Sequence, residues 1–319
     1  MDLFRYVLIT PARNEAALIE GTIKAVVRQT ELPAKWVIVS DGSTDGTDDI
    51  VRKYVLSHPW IELLQMPQRR ERHFAGKAYA FNTAYATLAN MEYEIIGNLD
   101  ADVTFDEQYF EFLLRKFAEN PRLGVAGTPF CDESRQYDYR IVSLQHVSGC
   151  CQLFRRSCFE EVGGYIPSKL GGVDLLAVTS ARMRGWRTRT FLEKSCIHHR
   201  KMGTAQQSLL ASAFQSGRAD YVLGCGPLWQ LFRSIYRMAK LRPVLLSGIW
   251  LLAGYSWEFL RGAKKVAPDD LIRFRRAEER SRLIEFFKRA LSGGRWKPEA
   301  SGTDGPNVTA WKSAGEKGE

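Results

Sequence analysis

Short apolar runs alternating with polar, turn-forming stretches dominate the first two thirds of the chain. Tyr6-Val7-Leu8-Ile9 is followed by Pro11-Ala12-Arg13-Asn14-Glu15 and then by helical composition over 16–29. Trp36-Val37-Ile38-Val39 repeats the pattern, ending in Ser40-Asp41-Gly42-Ser43-Thr44-Asp45-Gly46-Thr47 before a helix over 48–57. These units read as strand, loop, helix. A short strand over 61–65 comes next, then a helix opening at Gly76-Lys77 and running to about residue 90. An apolar run over 93–99 leads to a helix over 107–120, capped by Asp106 and ended by Pro121, and a strand over 123–128. Further on, Ser157 and Glu160 have capping-box spacing with Gly163-Gly164 as the stop, and a helix starting at Asp174 reaches Arg184 and Gly185. A strand over 187–193 follows, with Cys196-Ile197-His198-His199-Arg200 leaving it. Alternating strands and helices predict an α/β fold with a mostly parallel, doubly wound sheet, whose ligands lie at the carboxyl ends of its strands.

The run over 93–99 stops at Asp100-Ala101-Asp102. Side chains two positions apart in extended chain share a face, so both carboxylates converge on one point. Hard divalent cations take oxygen ligands and keep phosphates as partners, which makes a metal–diphosphate site one reading and a solvated acidic turn the other. Arg69, Arg70 and Arg72, followed by Gly76-Lys77 at a helix start, suit an anion; a basic loop with an ordinary cap is the alternative. Asp174 at a helix start reads equally as a functional carboxylate or as a cap.

From residue 221 the texture changes. Leu228-Trp229-Gln230-Leu231-Phe232 is amphipathic with Arg233, Arg237, Lys240 and Arg242 interleaved, and residues 244–260 are nearly all apolar. That run is shorter than the roughly 20 residues a membrane span needs. Basic flanks (Arg242, Arg261, Lys264, Lys265) and Trp250, Tyr255 and Trp257 fit a helix lying in or dipping into an anionic membrane face; a buried core helix is the alternative. A basic helix over 269–291 follows, and the tail over 292–319 has the composition of disorder. The expected division is therefore a domain over 1–220, a helical membrane-associating region over 221–291 and the tail.

Length and composition suit a globular protein: 319 residues, 45% apolar and 25% charged. The net charge of +9 points to acidic partners, whether nucleic acid, a nucleotide-linked substrate or anionic lipid. No nucleic-acid module is visible, so nucleic acid is not expected. The six cysteines have no metal-knuckle or extracellular spacing and read as reduced, mostly buried thiols. The first ten residues carry charges at Asp2 and Arg5 and no signal-peptide pattern. The expected location is the cytoplasm, attached to the cytoplasmic face of the membrane.

Taken as an ordered set over residues 4–205, these motifs resemble the family-two glycosyltransferases, inverting enzymes of the GT-A fold. The set comprises Pro11 to Glu15, Ser40 to Asp45, Gly76-Lys77-Ala78 with Asn82, Asp100-Ala101-Asp102, Phe154-Arg155-Arg156 with Val162-Gly163-Gly164-Tyr165, and Asp174. The resemblance implies that Ala12, Arg13 and Glu15 hold the donor nucleotide, that Asp41 contacts its base or ribose, and that Lys77 lies near it. It assigns Asp100 to ribose or metal, Asp102 to Mg²⁺ or Mn²⁺, His198 to the same metal, and Asp174 to the catalytic base. Val173 stands before Asp174 where the family commonly has glutamate. The Gln-x-x-Arg-Trp motif of processive synthases is replaced by residues 198–204, which implies transfer of a single sugar. The acceptor would be a saccharide or lipid-linked hydroxyl in cell-surface polysaccharide or glycolipid synthesis, and the donor a nucleotide-diphosphate sugar, with UDP-sugar favoured.

Two rivals compete with this reading. A sugar-phosphate nucleotidyltransferase would need a glycine-rich activating loop, and residues 10–16 contain no glycine. A non-enzymatic basic membrane-binding protein leaves the paired carboxylates unexplained. Cys196, His198 and His199 offer zinc-type ligands, but no second cysteine pair supports zinc.

Overall fold

The computed structural model describes residues 4–68, 74–132, 135–136, 143–200, 209–240 and 245–291. Arg69, Arg70, Arg72, the stretch 201–204, Arg242 and the tail over 292–319 lie outside the described residues. The chain opens with β1 (Tyr6–Ala12), α1 (Ile19–Val27), β2 (Lys35–Asp41), α2 (Thr47–Ser57), β3 (Ile61–Met66) and α3 (Ala75–Thr87). Next come β4 (Ile95–Leu99), β5 (Val103–Thr104), α4 (Tyr109–Glu119), β6 (Leu123–Gly127), β7 (Phe130–Asp132) and β8 (Arg135–Gln136). Then follow β9 (Cys151–Arg155), α5 (Arg156–Val162), α6 (Val173–Met183), β10 (Arg187–Thr190) and β11 (Cys196–His198). The last elements are α7 (Leu209–Val222), α8 (Pro227–Lys240), α9 (Leu246–Leu260) and α10 (Asp269–Leu291). Two compact units result, one carrying the strands and the other α7–α10.

The main sheet has seven strands in the order β10-β6-β9-β4-β1-β2-β3. β4, β1, β2 and β3 run parallel, so Asp100, Ala12 and Asp41 emerge along one edge. β9 is antiparallel to both β4 and β6, with Leu99 opposite Cys151. That direction brings the residues before β9, Gly149 and Cys150, to the edge where β4 ends. A second sheet of four strands, ordered β5-β11-β7-β8, sets His198 opposite Val103.

Both faces of the main sheet are covered, and strand periodicity divides the core in two. Tyr6, Leu8, Trp36, Ile38 and Ile95 pack with Ile19, Ile23 and Val26 of α1 and Phe110, Leu113 and Phe117 of α4. Their neighbours Val7, Ile9, Val37, Val39 and Ile96 pack with Phe81 of α3, Phe159 of α5 and Val178 of α6. Near-continuous apolar strands are what two covered faces require, and helix spacings of three and four residues supply the matching stripes.

Three local expectations are corrected. Ser157 lies inside α5, whose cap position is Arg155 with no side-chain cap hydrogen bond; Glu160 instead pairs with Arg156 at 2.7 Å. Asp106 precedes the cap position Gln108 and accepts its backbone N–H at 2.9 Å, an Asx-turn before the helix rather than a cap. Cys196-Ile197-His198 does not simply leave the preceding strand but forms β11 in the second sheet.

The α7–α10 unit packs α7 most closely on α9, and no described helix is long and apolar enough to cross a membrane. In the first unit, a Cβ added at Gly127 would lie 2.6 Å from Val147 Cγ1 and 2.8 Å from the Cys151 carbonyl oxygen. Gly127→Ala should therefore destabilise the protein by about 1–3 kcal/mol, read as a lower urea midpoint; an unchanged midpoint would show that this strand contact is looser than described.

Candidate functional site

The loop after β1 is held in place by the loop after β2. Asn14 adopts a left-handed φ of 56°, a conformation asparagine tolerates better than most residues. Its backbone N–H donates to Ser43 Oγ at 3.1 Å, and its Oδ1 accepts from Thr44 N–H at 2.9 Å. Thr47 Oγ1 accepts from Glu15 N–H at 2.8 Å, and Asp45 Oδ2 from Ala16 N–H at 3.0 Å. Burial works against the Asp45 carboxylate, yet hydrogen bonds from Thr47 and from the backbone hold its pKa below the ordinary value. Asp45 is thus a scaffold residue. Across the same edge Arg13 Nη1 stands 3.9 Å from Asp41 Oδ2, with Asp41 buried.

The acidic centre forms where β4 ends and β11 pairs with β5. Asp100, Asp102 and His198 offer ligand atoms that all lie within 4.8 Å of one another, the metal-capable group found among the described residues. His198 Nε2 is 3.5 Å from Asp102 Oδ1, while its Nδ1 donates to the Arg200 carbonyl at 2.5 Å. The Nδ1 bond leaves Nε2 as the ring nitrogen that faces the carboxylate oxygen. A cation between these two atoms would take both as ligands. Two carboxylates and one imidazole suit Mn²⁺ or Mg²⁺. Cys196 does not join the group: its Sγ lies 3.8 Å from Cys150 Sγ, and His199 Nε2 pairs with Thr104 Oγ1 at 2.8 Å.

Cations already flank both carboxylates. Lys77 Nζ pairs directly with Asp100. Arg200 joins Glu15 Oε2 at 2.5 Å and stands 3.7 Å from Asp102 Oδ2. Burial disfavours the Lys77 ammonium, but Asp100 and then Asp174 more than offset this and raise its pKa. Burial raises the Asp100 pKa, Lys77 opposes the rise, and the second carboxylate, Asp102, adds to it.

Gly149 ties this centre to Asp174. Its carbonyl accepts from Lys77 Nζ at 2.9 Å and from Asn98 Nδ2 at 2.5 Å, and its N–H donates to Asp174 Oδ2 at 3.1 Å. Asp174, in the first turn of α6, therefore spends an oxygen on Gly149 rather than on capping its own helix. A Cβ on Gly149 would lie 2.9 Å from Asp174 Cβ. Asn82 has a structural task, clamping Tyr165 by its backbone through bonds of 2.9 and 3.2 Å.

The structure thus gathers Lys77, Asp100, Asp102, His198 and Asp174 into one linked group, joins Glu15 to it through Arg200, and sets Ala12, Arg13 and Asp41 on the same strand edge. Sequence reasoning missed Gly149, Asn98 and Arg200. Asn98 had a signal: it interrupts an apolar strand two positions before Asp100, on the same face. Gly149 and Arg200 had none, since their parts depend on β9 reversing direction and on β11 pairing with β5.

Residues 7–144 match the family model described as Glycosyl transferase family 2. A poly-beta-1,6-N-acetyl-D-glucosamine synthase from Staphylococcus epidermidis is 26% identical over 171 residues, covering 47% of this chain and 39% of that protein. The like-named protein of Staphylococcus aureus strain COL is 24% identical over 194 residues, covering 54% of this chain and 45% of its own length. The chain thus spans less than half the length of these curated relatives. Among solved structures, the mannosyltransferase PcManGT of Pyrobaculum calidifontis, in complex with GDP-Man and Mn²⁺, has a TM-score of 0.54 at 22% identity, covering 98% of this chain and 84% of that one. S. aureus TarS 1-349, in complex with UDP-GlcNAc, has a TM-score of 0.56 at 14% identity, covering 92% and 93%. The likeness to these structures is one of fold, the GT-A arrangement of a mixed sheet with flanking helices.

The raised Asp100 pKa sets a pH dependence. As pH falls through that pKa, Asp100 protonates, and the centre loses a ligand charge before an unshifted carboxylate would. Mn²⁺ affinity should therefore fall, approaching about tenfold per pH unit below the Asp100 pKa, in calorimetric titrations stepped downward from pH 7.5. Affinity that stays constant until the pH enters the range of an unshifted carboxylate would contradict the assignment of Asp100 to the ion.

Proposed function

We propose that this chain, whose residues 7–144 match the family model Glycosyl transferase family 2, transfers a single sugar from a nucleotide-diphosphate sugar to an acceptor hydroxyl with inversion. The observation that carries the reading is the group of Asp100, Asp102 and His198 within 4.8 Å, coupled through Lys77 and Gly149 to Asp174. A divalent cation held by these three residues would neutralise charge on the departing diphosphate.

The chain's own residues supply the rest. Arg13, Lys77 and Arg200 stand among Asp41, Asp100, Asp102 and Glu15. An added divalent charge tips these seven side chains to net positive, the sign a diphosphate requires. Asp41 and the backbone at Ala12 sit at the adjacent strand ends where a nucleoside would lie. Asp174 is oriented by the Gly149 N–H and takes the proton from the acceptor hydroxyl as it attacks the anomeric carbon opposite the leaving diphosphate. One base and one displacement give inversion. A UDP-sugar is favoured as the donor; TarS binds UDP-GlcNAc and PcManGT binds GDP-Man, both nucleotide-diphosphate sugars. A saccharide or lipid-linked acceptor in surface polysaccharide or glycolipid synthesis accords with the polysaccharide synthases among the relatives.

The division of labour between Asp102 and Asp174 can be measured. Asp102→Ala should weaken Mn²⁺-dependent binding of a nucleotide-sugar by more than the roughly 10–100-fold that loss of an outer-shell partner costs. Asp174→Asn should leave donor affinity close to wild type and lower the transfer rate by about 10²–10⁴-fold. Equal loss of donor affinity in both variants would overturn the assignment, and failure of any nucleotide-sugar to bind wild-type protein with Mn²⁺ would overturn the transferase reading itself. With donor in excess, mass spectrometry should find acceptor extended by one sugar; a ladder of long homopolymer would contradict single transfer.

A further inference from the structure

In the α7–α10 unit, α8 and α9 turn large apolar side chains outward while several of their polar side chains are buried. On α8, Leu228, Leu231 and Ile235 are 66%, 46% and 56% exposed and lie three and four residues apart, forming one stripe. The opposite face buries Gln230 and Ser234, and Arg233 pairs with Asp220 at 2.8 Å. On α9 the exposed residues include Ile249, Trp250, Trp257, Phe259 and Leu260, whereas Ser247, Gly248, Leu251, Gly254, Tyr255 and Glu258 are turned inward, so the helix is apolar on its outer side as well as its inner one. Glu258 meets Arg218 at 2.5 Å. Helices of a protein surrounded by water present a polar outer face instead. Their contacts are also of the small-residue kind: a Cβ on Gly254 would lie 2.0 Å from the Phe214 carbonyl oxygen, and one on Gly217 would lie 1.9 Å from that of Leu251. Close backbone approach over glycine is the way helices pack where burial of large apolar side chains brings no gain.

We propose that the outward apolar faces of α8 and α9, edged by Arg261, Lys264 and Lys265, form an in-plane docking surface for an anionic lipid bilayer. The apolar residues extend over several elements rather than lining one groove. Phe232 of α8 stacks edge-on against Phe286 of α10 at 4.9 Å, and Phe286 and Phe287 are themselves exposed. Cations adjoin the aromatic side chains: Arg261 lies over Trp257 at 5.7 Å and Lys265 over Tyr221 at 5.8 Å. This is the combination that an interface of acyl chains and anionic headgroups selects. A cleft of about 390 Å³ bounded by Tyr221, Tyr255, Phe259, Lys265 and Arg276 gives a headgroup phosphate two cations and aromatic walls. At about 1.5 Å per residue, the 15 residues of α9 fall short of the roughly 30 Å hydrocarbon core. The helix therefore lies along the interface.

The test uses full-length protein and sedimentation with vesicles of phosphatidylcholine, with or without phosphatidylglycerol. Wild type should partition onto the mixed vesicles, less so at raised salt, and lipids brominated in the upper acyl chain should quench tryptophan fluorescence. The double variant Leu231→Ser/Ile235→Ser should reduce partitioning roughly tenfold or more. Lys264→Glu/Lys265→Glu should weaken binding to the mixed vesicles and leave binding to phosphatidylcholine alone unchanged. Both pairs are exposed, and circular dichroism checks that each variant is folded; quenching in wild type tests the proposal even where a variant fails to fold. Folded protein that ignores both vesicle types, or binding indifferent to both variants, would overturn the proposal. A lipid-free dimer that the serine variant dissociates would assign the face to a second copy and overturn it too. The surface is argued independently of the donor chemistry, and nucleotide-sugar titration of the same samples keeps the two apart: vesicle binding can fail while donor binding stands.

Discussion

The antiparallel insertion of β9 beside β4 is the constraint on which the site depends. In a fully parallel sheet, the residues preceding a strand lie at the edge opposite the ligand. Because β9 runs the other way, the residues before it arrive where β4 ends, and Asp100 N–H donates to the Cys150 carbonyl at 2.8 Å. Gly149, one position earlier, then reaches Lys77, Asn98 and Asp174 with its two backbone groups. A glycine is needed there because the Asp174 side chain occupies the space a Cβ would take. Sheet direction thus fixes the distance between the acidic centre and the proposed base.

The second sheet adds the other half. β5 is two residues long and follows Asp102 directly, and pairing it with β11 brings His198 across from a point far away in the chain. The backbone reinforces the join: His199 N–H donates to the Asp102 carbonyl at 2.9 Å. The ring is then oriented by Arg200, whose carbonyl accepts a hydrogen bond from Nδ1–H while its guanidinium bridges Glu15 and Asp102. One residue therefore sets a tautomer and supplies a charge to the same centre.

The sheet was legible in the sequence because its strands are covered on both faces, which leaves dense apolar runs such as Tyr6 to Ile9 and Trp36 to Val39 bounded by polar loops. The Asp-x-Asp pair was legible from period-two geometry, and His198 came from family resemblance alone. Gly149 and Arg200 were invisible, since nothing local distinguishes a glycine or arginine whose partners are supplied by strand reversal. The Ser157–Glu160 spacing misled because Arg156 captures Glu160 and the helix starts earlier. For α8 and α9 the sequence showed amphipathic and apolar character, but the inward side also carries ion pairs such as Arg233 with Asp220 and Arg218 with Glu258. Those pairings join different helices and carry no periodic trace.

The central claim is that one divalent ion and one nucleotide diphosphate share the centre formed by β4, β5 and β11. A crystal structure of the protein with Mn²⁺ and a nucleoside diphosphate tests it most directly. The account predicts manganese anomalous density between Asp102, Asp100 and His198, with diphosphate oxygens completing its shell. Manganese at any other position, or a diphosphate bound away from these three side chains, would contradict it.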